Sequence, residues 1–355
     1  MSSGNGRTIR VAMIGAGRIT DLHYPAYVNF PDAELVTVCD ADETVARRRH
    51  QEWGTKRWET DYKAVLADPD IDMVEINTPH HLHHPMVLEA CKARKHIQLQ
   101  KPMAHTIQEC NEMVAAAKDA GVRLKVIENF IFYPPYRKAK RLLEEGAIGT
   151  LLSMRIRLGC AGLGGWWVPL TTWLWRLAET ETGGGPVVFD DGYHKFSSAI
   201  FFGGAVDRVH AWIDRSLTAI DAPAVISWKH QSGVLGTLDA TLQPNLQCTS
   251  NYYSSDERIE LTGTKGVIWL NRCTGKLLDE PALELFSDGV KTSYEAIETD
   301  WEASFRDSTR DFIRSLIENR PASLTGEEAS EVQRFCLGAL ESARRGQPVD
   351  LRGEG

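Results

Sequence analysis

The stretch Ile9-Arg-Val-Ala-Met-Ile-Gly-Ala-Gly-Arg-Ile-Thr20 determines the expected fold. It opens with a short apolar run, which is typical of a strand buried on both faces of a parallel sheet. Gly15 and Gly17 follow at once and a helical pattern comes next, so the stretch predicts a strand, a tight turn and a helix. The first glycine permits the turn, and the second lets the backbone approach a pyrophosphate group. Threonine stands in place of the third glycine of the usual G-x-G-x-x-G pattern.

An acidic residue suited to a ribose diol follows this turn. Asp40 comes directly after the next apolar run, 25 residues beyond Gly15, where a carboxylate can accept hydrogen bonds from ribose hydroxyls. The same carboxylate would repel a 2′-phosphate, so we expect NAD as the cofactor and not NADP. The predicted contacts on this side of the cofactor are Gly15, Gly17, Arg18, Ile19 and Asp40.

Three consecutive arginines on the following helix bear on that choice. Arg47, Arg48 and Arg49 could meet a 2′-phosphate if they folded back toward the turn. A solvated helix face is the favoured interpretation of such a basic run. NAD therefore stays the expected cofactor.

The rest of the chain divides into two patterns. From Ile9 to about Lys125, short apolar runs alternate with amphipathic segments, which predicts parallel strands joined by helices. From about Leu151 to Leu270, hairpin signals such as a Gln231-Ser232-Gly233 turn predict a largely antiparallel, open sheet, and two helices close the chain. We therefore expect an α/β protein with a Rossmann dinucleotide-binding domain over residues 1–128 and an α/β substrate and oligomerisation domain over residues 129–355.

The composition places the chain among globular proteins. Its 355 residues are 43% hydrophobic and 25% charged, which argues against a disordered or collagen-like chain. The net charge of −8 argues against a general nucleic-acid binder, because a phosphate backbone needs a concentrated basic face. Seven scattered cysteines without a C-x-x-C pair fit reduced thiols, and no apolar run has the length of a membrane span. We expect a cytoplasmic protein with neither a nucleic-acid nor a membrane partner.

Several motifs together resemble the Gfo/Idh/MocA family of NAD(P)-dependent oxidoreductases. They are Gly15-x-Gly17 with His23, Asp40, Thr78-Pro79-His80-His81-Leu82-His83, Gln100-Lys101-Pro102 and Asp190-Asp-Gly-Tyr-His194. The resemblance covers nearly the whole chain. It implies a second domain whose open sheet forms one wall of the active site and, commonly, the interface of a homo-oligomer, here a dimer or a tetramer. It also implies hydride transfer between NAD and a secondary carbinol of a sugar or cyclitol.

The resemblance assigns the catalytic roles to three residues. The lysine of the family's E-K-P motif corresponds to Lys101, and its D-x-x-x-H pair corresponds to Asp190 and His194. The chemistry agrees, because a hydroxyl that loses hydride must also lose its proton to a base of near-neutral pKa. His194 can accept that proton, the Lys101 ammonium can stabilise alkoxide charge, and Asp190 can orient the imidazole or hold a neighbouring hydroxyl.

The nicotinamide side of the cofactor is assigned in the same way. The expected contacts are Thr78, Pro79, His80, His83, Gln100 and Lys101. His80 replaces the asparagine of the family's T-P-N-x-x-H motif, and Gln100 replaces its usual glutamate. Four histidines between residues 80 and 84 suggest a metal, but no acidic or cysteine partner with ligand spacing accompanies them, so we expect no metal site.

The substrate side carries unusual residues. Lys195 adds a cation beside His194, and Ser197 stands where the family often has aspartate, so we expect a less acidic site. Such a site suits either an anionic substrate or a leaving group that needs electrophilic help. Four tryptophans lie within ten residues, from Trp166 to Trp175, where aromatic rings suit either the faces of a sugar or an oligomer interface. The predicted substrate contacts are Lys101, Arg157, Trp173, Trp175, Arg176, Asp190, His194 and Lys195.

Two other functions remain open at this point. The first is an NAD-dependent glycosidase, which oxidises C3 transiently, eliminates the glycosidic group, adds water and returns the hydride, for example on a sulfosugar. The second is a non-catalytic NAD-binding regulator, because a fold alone does not fix function.

Overall fold

A computed structural model describes residues 8–180, 184–216, 220–271 and 274–352. Its contacts divide the chain into two compact units. The first unit holds the residues up to Asn129 together with Glu302–Gln333, and the second holds Phe130–Trp301 and the residues from Arg334 onward. No helix in these described ranges is long and apolar enough to cross a membrane.

The first unit contains a six-stranded parallel sheet. Its strands are β1 (Ile9–Ile14), β2 (Ala33–Cys39), β3 (Arg57–Glu59), β4 (Met73–Ile76), β5 (His96–Leu99) and β6 (Leu124–Val126). The helices between them are α1 (Thr20–His23), α2 (Glu43–Trp53), α3 (Tyr62–Ala67), α4 (His83–Lys92) and α5 (Ile107–Ala120). The strand order β3-β2-β1-β4-β5-β6 reverses direction between β1 and β4, and ligands of such sheets bind at the carboxyl ends of the strands beside this reversal.

The second unit is built on a nine-stranded sheet. Its strands are β7 (Leu151–Leu163), β8 (Val206–Ile213), β9 (Ala224–His230), β10 (Leu235–Gln247), β11 (Ser255–Gly263), β12 (Gly266–Leu270), β13 (Leu283–Ser287), β14 (Val290–Ser293) and β15 (Val349–Asp350). The order is β14-β13-β12-β11-β7-β10-β9-β8-β15, and every neighbouring pair is antiparallel except β7 with β10. The helices are α6 (Pro134–Glu144), α7 (Leu170–Thr180) and α8 (Gly192–Gly203), with α8 packed on β7 and β10. The predicted α/β class, with a parallel sheet and a largely antiparallel one, is confirmed.

Two further helices lie between β14 and β15 in sequence, α9 (Trp301–Ile317) and α10 (Gly326–Arg345). The sequence analysis assigned both to the second domain, but α9 from Glu302 onward and the start of α10 belong to the first unit. Phe312 and Ile313 on α9 are buried in the core that contains Ile9, Met13 and Met73. Burial of this apolar face against the parallel sheet holds α9 in the first unit. The chain therefore returns to the first unit after residue 128, where the sequence predicts a single boundary.

Helix ends follow the local sequence signals in the first unit. The side chain of Thr106 accepts a hydrogen bond from the backbone of Glu109, the reciprocal bond is present, and Gly121 ends α5 in a left-handed conformation. This is the capping box that the sequence predicts. The helix expected after Gly17 is only four residues long and continues as a 3₁₀ turn over Tyr24–Ala26.

Candidate active site

Gly15 makes the tight turn at the end of β1. Its φ is +84°, and a Cβ atom on it would lie 2.8 Å from the carbonyl carbon of Asn77, just beyond β4. Its N–H donates to the carbonyl of Cys39 at 2.8 Å. A side chain is therefore excluded both by the conformation and by the adjacent backbone.

Gly17 faces open space. A Cβ atom on it would meet no atom within 4 Å among the described residues. In the same part of the structure, the backbone N–H groups of Gly17 and Ile19 donate to no acceptor. An open approach lined by backbone donors fits the pyrophosphate of a dinucleotide.

Asp40 stands next to this turn at the carboxyl end of β2. Its Oδ2 accepts a hydrogen bond from the N–H of Ala16 at 2.8 Å, and its Oδ1 accepts one from the N–H of Asp42 at 3.0 Å. Each carboxylate oxygen retains a second lone pair for a ribose hydroxyl. The residues at the ends of β1 and β2 therefore fit NAD.

The arginine run on α2 is only partly a solvated face. Arg47 and Arg48 are exposed, as expected, and pair with Glu43 and Glu52 along the helix. Arg49 is buried, and its Nε donates to the carbonyl of Ala16 at 3.2 Å. This contact stabilises the glycine turn from α2. Sequence spacing does not predict it, because the two residues are far apart in the chain.

Arg18 is exposed, and its guanidinium lies 2.9 Å from the carboxylate of Asp21. That carboxylate also pairs with Arg49 at 2.6 Å. The two acid–arginine contacts connect the start of α1 to α2.

The segment after β4 supplies Thr78, Pro79 and His80, and His83 begins α4 behind them. His83 is fully buried, with Nε2 3.0 Å from the carbonyl oxygen of Thr78 and Nδ1 3.0 Å from that of Pro102. Burial lowers the pKa of His83 to about 3, against the contacts with the two carbonyl oxygens, which raise it. Its position favours a role in holding the segments after β4 and β5 together over the predicted direct contact with the cofactor.

Gln100 and Lys101 follow β5 at the same edge of the sheet. The side-chain oxygen of Gln100 accepts a hydrogen bond from the N–H of Lys101 at 2.8 Å, and its amide nitrogen lies 3.2 Å from Nε2 of His23. His23 in turn lies 2.6 Å from the carboxylate of Glu75 on β4. The sequence analysis missed Glu75, because it lies within an apolar strand pattern.

Asp190 and His194 are brought together on one helical segment of the second unit. A π-helical turn over Pro186–Asp191 leads directly into α8, and both side chains are buried. The buried carboxylate of Asp221 accepts three backbone N–H groups of this turn at 2.8 to 2.9 Å. A Cβ atom on Gly185 would lie 2.0 Å from Cγ of Asp221, so only glycine fits there.

Arg176 from the tryptophan-rich helix α7 is the ionic partner of Asp190. Its Nε lies 2.9 Å from Oδ2 of Asp190. Burial opposes the charge of Arg176, but Asp190 and its neighbours outweigh it and raise the pKa of the guanidinium. The hydroxyl of Tyr253 also hydrogen-bonds to Arg176. The charge of Arg176, a predicted substrate contact, is thus balanced by that of Asp190, a predicted catalytic residue.

His194 lies against an aromatic ring. Its imidazole stacks on Phe130 with the ring centroids 4.3 Å apart, and Nζ of Lys195 lies 4.0 Å from the centre of the same ring. Lys195 is buried and pairs with Glu257 on β11 at 2.5 Å. Burial raises the pKa of Glu257 to about 7, although Lys195 opposes the shift. Lys195 is therefore a buried ion-pair residue, which differs from its predicted role as a substrate cation.

Glu257 also corrects the expectation of a less acidic site. Its carboxylate comes from a strand more than sixty residues along the chain, and no motif spacing connects it with Lys195.

Arg157 lies on the exposed face of β7, whereas its neighbours Ile156 and Leu158 are buried. Its nearest carboxylate is that of Asp256 at 3.6 Å. The structure thus places Arg157 on the opposite face of the sheet from Lys195 and Glu257.

The tryptophan-rich segment lies between β7 and the end of α7. Trp166 and Trp167 follow β7 outside any strand or helix, and Trp173 and Trp175 lie on α7. Trp173 is exposed, Trp175 is half-buried with the Arg176 guanidinium 5.3 Å from its ring, and Trp166 packs on Tyr252. The glycine run over residues 183–185 also predicts a hinge before Asp190, but Gly183 lies outside the described residues.

The chain matches two models of one protein family. Residues 9–128 match the oxidoreductase family with an NAD-binding Rossmann fold, and residues 136–269 match the GFO/IDH/MocA C-terminal domain. D-apiose dehydrogenase of Paraburkholderia graminis is 29% identical over 96% of this chain and 89% of its own length. Myo-inositol 2-dehydrogenase of Thermotoga maritima is 25% identical over 97% of this chain and 98% of its own.

The fold is shared with a solved structure of levoglucosan dehydrogenase in complex with NADH and levoglucosan. The TM-score is 0.82 at 22% identity, and the match covers 98% of this chain and all of the other. The two family models cover well over half of the residues, and they place the protein in their family. The chain belongs to the Gfo/Idh/MocA family of oxidoreductases, whose N-terminal domain has an NAD-binding Rossmann fold.

Proposed function

We propose that this protein is an NAD-dependent dehydrogenase that oxidises a secondary hydroxyl of a neutral sugar or cyclitol. The observation that carries the proposal is the position of Lys101 directly after β5, on the same edge of the parallel sheet as Gly17 and Asp40. An edge that binds a dinucleotide and carries a lysine suits hydride transfer from an alcohol. Its named relatives include dehydrogenases of apiose, levoglucosan and inositol.

The chemistry divides between the cofactor and the chain. When bound, NAD supplies the acceptor for the hydride at its nicotinamide ring. Lys101 stabilises the negative charge that develops on the substrate oxygen. His194 accepts the hydroxyl proton, and Asp190, paired with Arg176, supports this part of the site.

The ion pairs favour a neutral substrate over the anionic one that the sequence analysis expected. Arg176 is matched by Asp190, and Lys195 by Glu257. An anionic group that bound to Arg176 or Lys195 would have to break the existing pair, which leaves a charge uncompensated and costs several kcal/mol. A hydroxyl-rich neutral ring needs only hydrogen-bonding partners.

The two rival functions are less well supported. Several relatives with a named activity are dehydrogenases and another is a reductase, which does not favour the redox-cycling glycosidase. The same relatives weigh against a non-catalytic regulator, as does the presence of Lys101, Asp190 and His194 at the positions that the family resemblance assigns.

The test is a substrate panel with NAD that follows NADH formation. Neutral pentoses, hexoses, anhydrosugars and inositols are compared with matched uronates and sulfosugars, and we expect activity only in the neutral group. Lys101→Ala and His194→Ala should each lower kcat about a hundredfold or more, whereas Lys118→Ala, on the exposed face of α5, should not. Faster turnover of the anionic set, or release of an aglycone without NADH, would contradict the proposal.

We also propose that the protein forms a homo-oligomer through the exposed face of its nine-stranded sheet. Trp212, Val225 and Leu235 on this face are 59%, 50% and 57% exposed, and apolar side chains grouped on a sheet are typical of an interface. Light scattering should show a dimer or tetramer that Trp212→Glu converts to smaller species. The same mass for both proteins, or a monomeric wild type, would reject this interface.

A further inference from the structure

A row of buried polar side chains runs beneath the segment that carries Lys101. Glu75 on β4 and His23 at the end of α1 are fully buried, and Gln100 is 8% exposed. The distances are 2.6 Å from Glu75 Oε1 to His23 Nδ1, 3.2 Å from His23 Nε2 to Gln100 Nε2, and 2.8 Å from Gln100 Oε1 to the N–H of Lys101. These three residues are called the polar chain below.

The orientation of the Gln100 amide follows from its last neighbour. A backbone N–H can only donate, so the atom that faces the N–H of Lys101 must be the amide oxygen. The amide nitrogen, which can only donate, then faces Nε2 of His23. Nε2 must therefore be the unprotonated, accepting nitrogen of the imidazole.

The proton of His23 is consequently on Nδ1, where it meets Glu75. At 2.6 Å an imidazole nitrogen and a carboxylate oxygen must share a proton, because two lone pairs would repel at that distance. Glu75 also accepts hydrogen bonds from the hydroxyl of Tyr27 and the amide of Asn77. Burial opposes the charge of Glu75, but the hydrogen bonds from His23, Tyr27 and Asn77 lower the pKa of the carboxyl below its ordinary value.

We propose that Glu75 and His23 are positioning residues that act through Gln100 to fix the backbone of Lys101. Glu75 holds His23 in the Nδ1–H form, this form accepts the Gln100 amide, and the amide oxygen then fixes the N–H of Lys101. The family resemblance places a glutamate at residue 100, which would require a doubly protonated His23; Gln100 requires a neutral one. The role rests on the proposed function, since Lys101 is its target.

The first test reads the tautomer and does not need activity. Nitrogen NMR of ¹⁵N-histidine-labelled protein distinguishes the three protonation forms, and the His23 signal is assigned by its absence from His23→Leu. We expect wild-type His23 to carry a proton on Nδ1 alone and His23 of Gln100→Glu to carry protons on both nitrogens. A proton on Nε2 in the wild type, or no change in Gln100→Glu, would overturn the proposal.

The second test measures the link to Lys101. Gln100→Leu and His23→Leu should each speed hydrogen exchange at the Lys101 amide and lower kcat about ten- to a hundredfold, since small misplacement of a catalytic group has such effects. KM for the sugar should change little. The double variant should be no worse than the worse single variant, because His23 acts only through residue 100. Additive losses, or unchanged exchange in His23→Leu, would overturn the proposal.

Conservative variants separate positioning from packing. Glu75→Gln retains an acceptor for His23 and should keep kcat within about threefold, whereas Glu75→Leu should lower it as His23→Leu does. Tyr27→Phe removes a hydrogen bond to Glu75 that lies outside the polar chain and serves as the control. If no sugar is oxidised, the proposed function fails, but the tautomer and the exchange at Lys101 still decide the polar chain.

Discussion

Gly15 and Gly17 are two residues apart, but different constraints act on them. Gly15 has a positive φ and backbone at 2.8 Å from the position of a Cβ, whereas Gly17 has open space around it. The protein's own backbone requires glycine at residue 15. At residue 17 the described residues leave room for a side chain, and a bound ligand would account for the glycine there.

Alanine at each position separates these constraints. Gly15→Ala should lower the free energy of unfolding by about 1–3 kcal/mol, because it adds backbone strain and a clash. Gly17→Ala should leave stability unchanged or slightly higher, yet weaken NADH binding about tenfold or more, the equivalent of ~1.4 kcal/mol. Urea unfolding and fluorescence titration measure the two quantities. NADH binding by Gly17→Ala at wild-type strength would show that this turn does not hold the cofactor.

Arg176 tests the ion pair with Asp190. Arg176→Gln leaves that buried carboxylate without its cation, so kcat/KM for a neutral sugar should fall about tenfold or more. Arg155→Gln is the matched control, because Arg155 is 77% exposed and its contact with Glu260 is 3.6 Å long. A loss confined to anionic substrates would instead make Arg176 a substrate cation.

At the scale of elements, the turn that presents Asp190 depends on Asp221. The sequence shows Asp221 only as a polar residue in a loop, and its three backbone contacts arise from a chain separation of more than thirty residues. Burial raises the pKa of Asp221 despite these hydrogen bonds. The turn is thus held by a carboxylate that local pattern does not identify.

Removal of this carboxylate should destabilise the second unit. Asp221→Ala leaves three buried N–H groups without acceptors, which we expect to cost about 3 kcal/mol or more of unfolding free energy. The control is Asp214→Ala, because Asp214 is exposed and, among the described residues, accepts hydrogen bonds from the backbone and side chain of Ser216. Equal stability of the two variants in urea would show that the turn does not need Asp221.

Strand β6 carries a buried lysine with a defined pH effect. Burial lowers the pKa of Lys125 from 10.5 to about 7. Between these values the unfolded chain binds more protons than the folded one, so this group makes stability rise with pH, and below pH 7 its penalty is constant.

Lys125→Met should abolish this part of the pH dependence. Wild-type protein should gain stability relative to the variant between pH 7 and about pH 9, as measured by urea unfolding at both values. Lys118→Met, on the exposed face of α5, should behave as the wild type does. A parallel pH dependence of wild type and Lys125→Met would mean that Lys125 stays charged in the folded protein.

For the molecule as a whole, the sequence predicts those features that depend on local sequence patterns. The apolar run Ile9 to Ile14 gives β1 its bounds, Thr106 and Glu109 give α5 its start, and Asp40 lies after β2 beside the glycine turn. Contacts between distant segments were not predicted. Arg49 under the glycine turn is one such contact, and the burial of Phe312 in the first unit is another.

The same limit applies to the charged residues predicted at the substrate side. The sequence shows Lys195 and Arg176 as cations, but their partners Glu257 and Asp190 are visible only once the chain has folded. Glu75 within an apolar strand is hidden in the same way. The expected substrate therefore depends on how the charged side chains pair in the folded protein, and their order in the sequence does not show this pairing.

The central claim is that hydride passes from a carbinol carbon of a neutral sugar to NAD. Its most direct test uses the best neutral substrate of the panel with deuterium at the oxidised carbon, followed by mass spectrometry of the reduced cofactor. The account predicts NADH that carries one deuterium, formed in equal amount with the ketone and lost in Lys101→Ala. Reduced cofactor without deuterium, or product formed with no reduced cofactor at all, would contradict it.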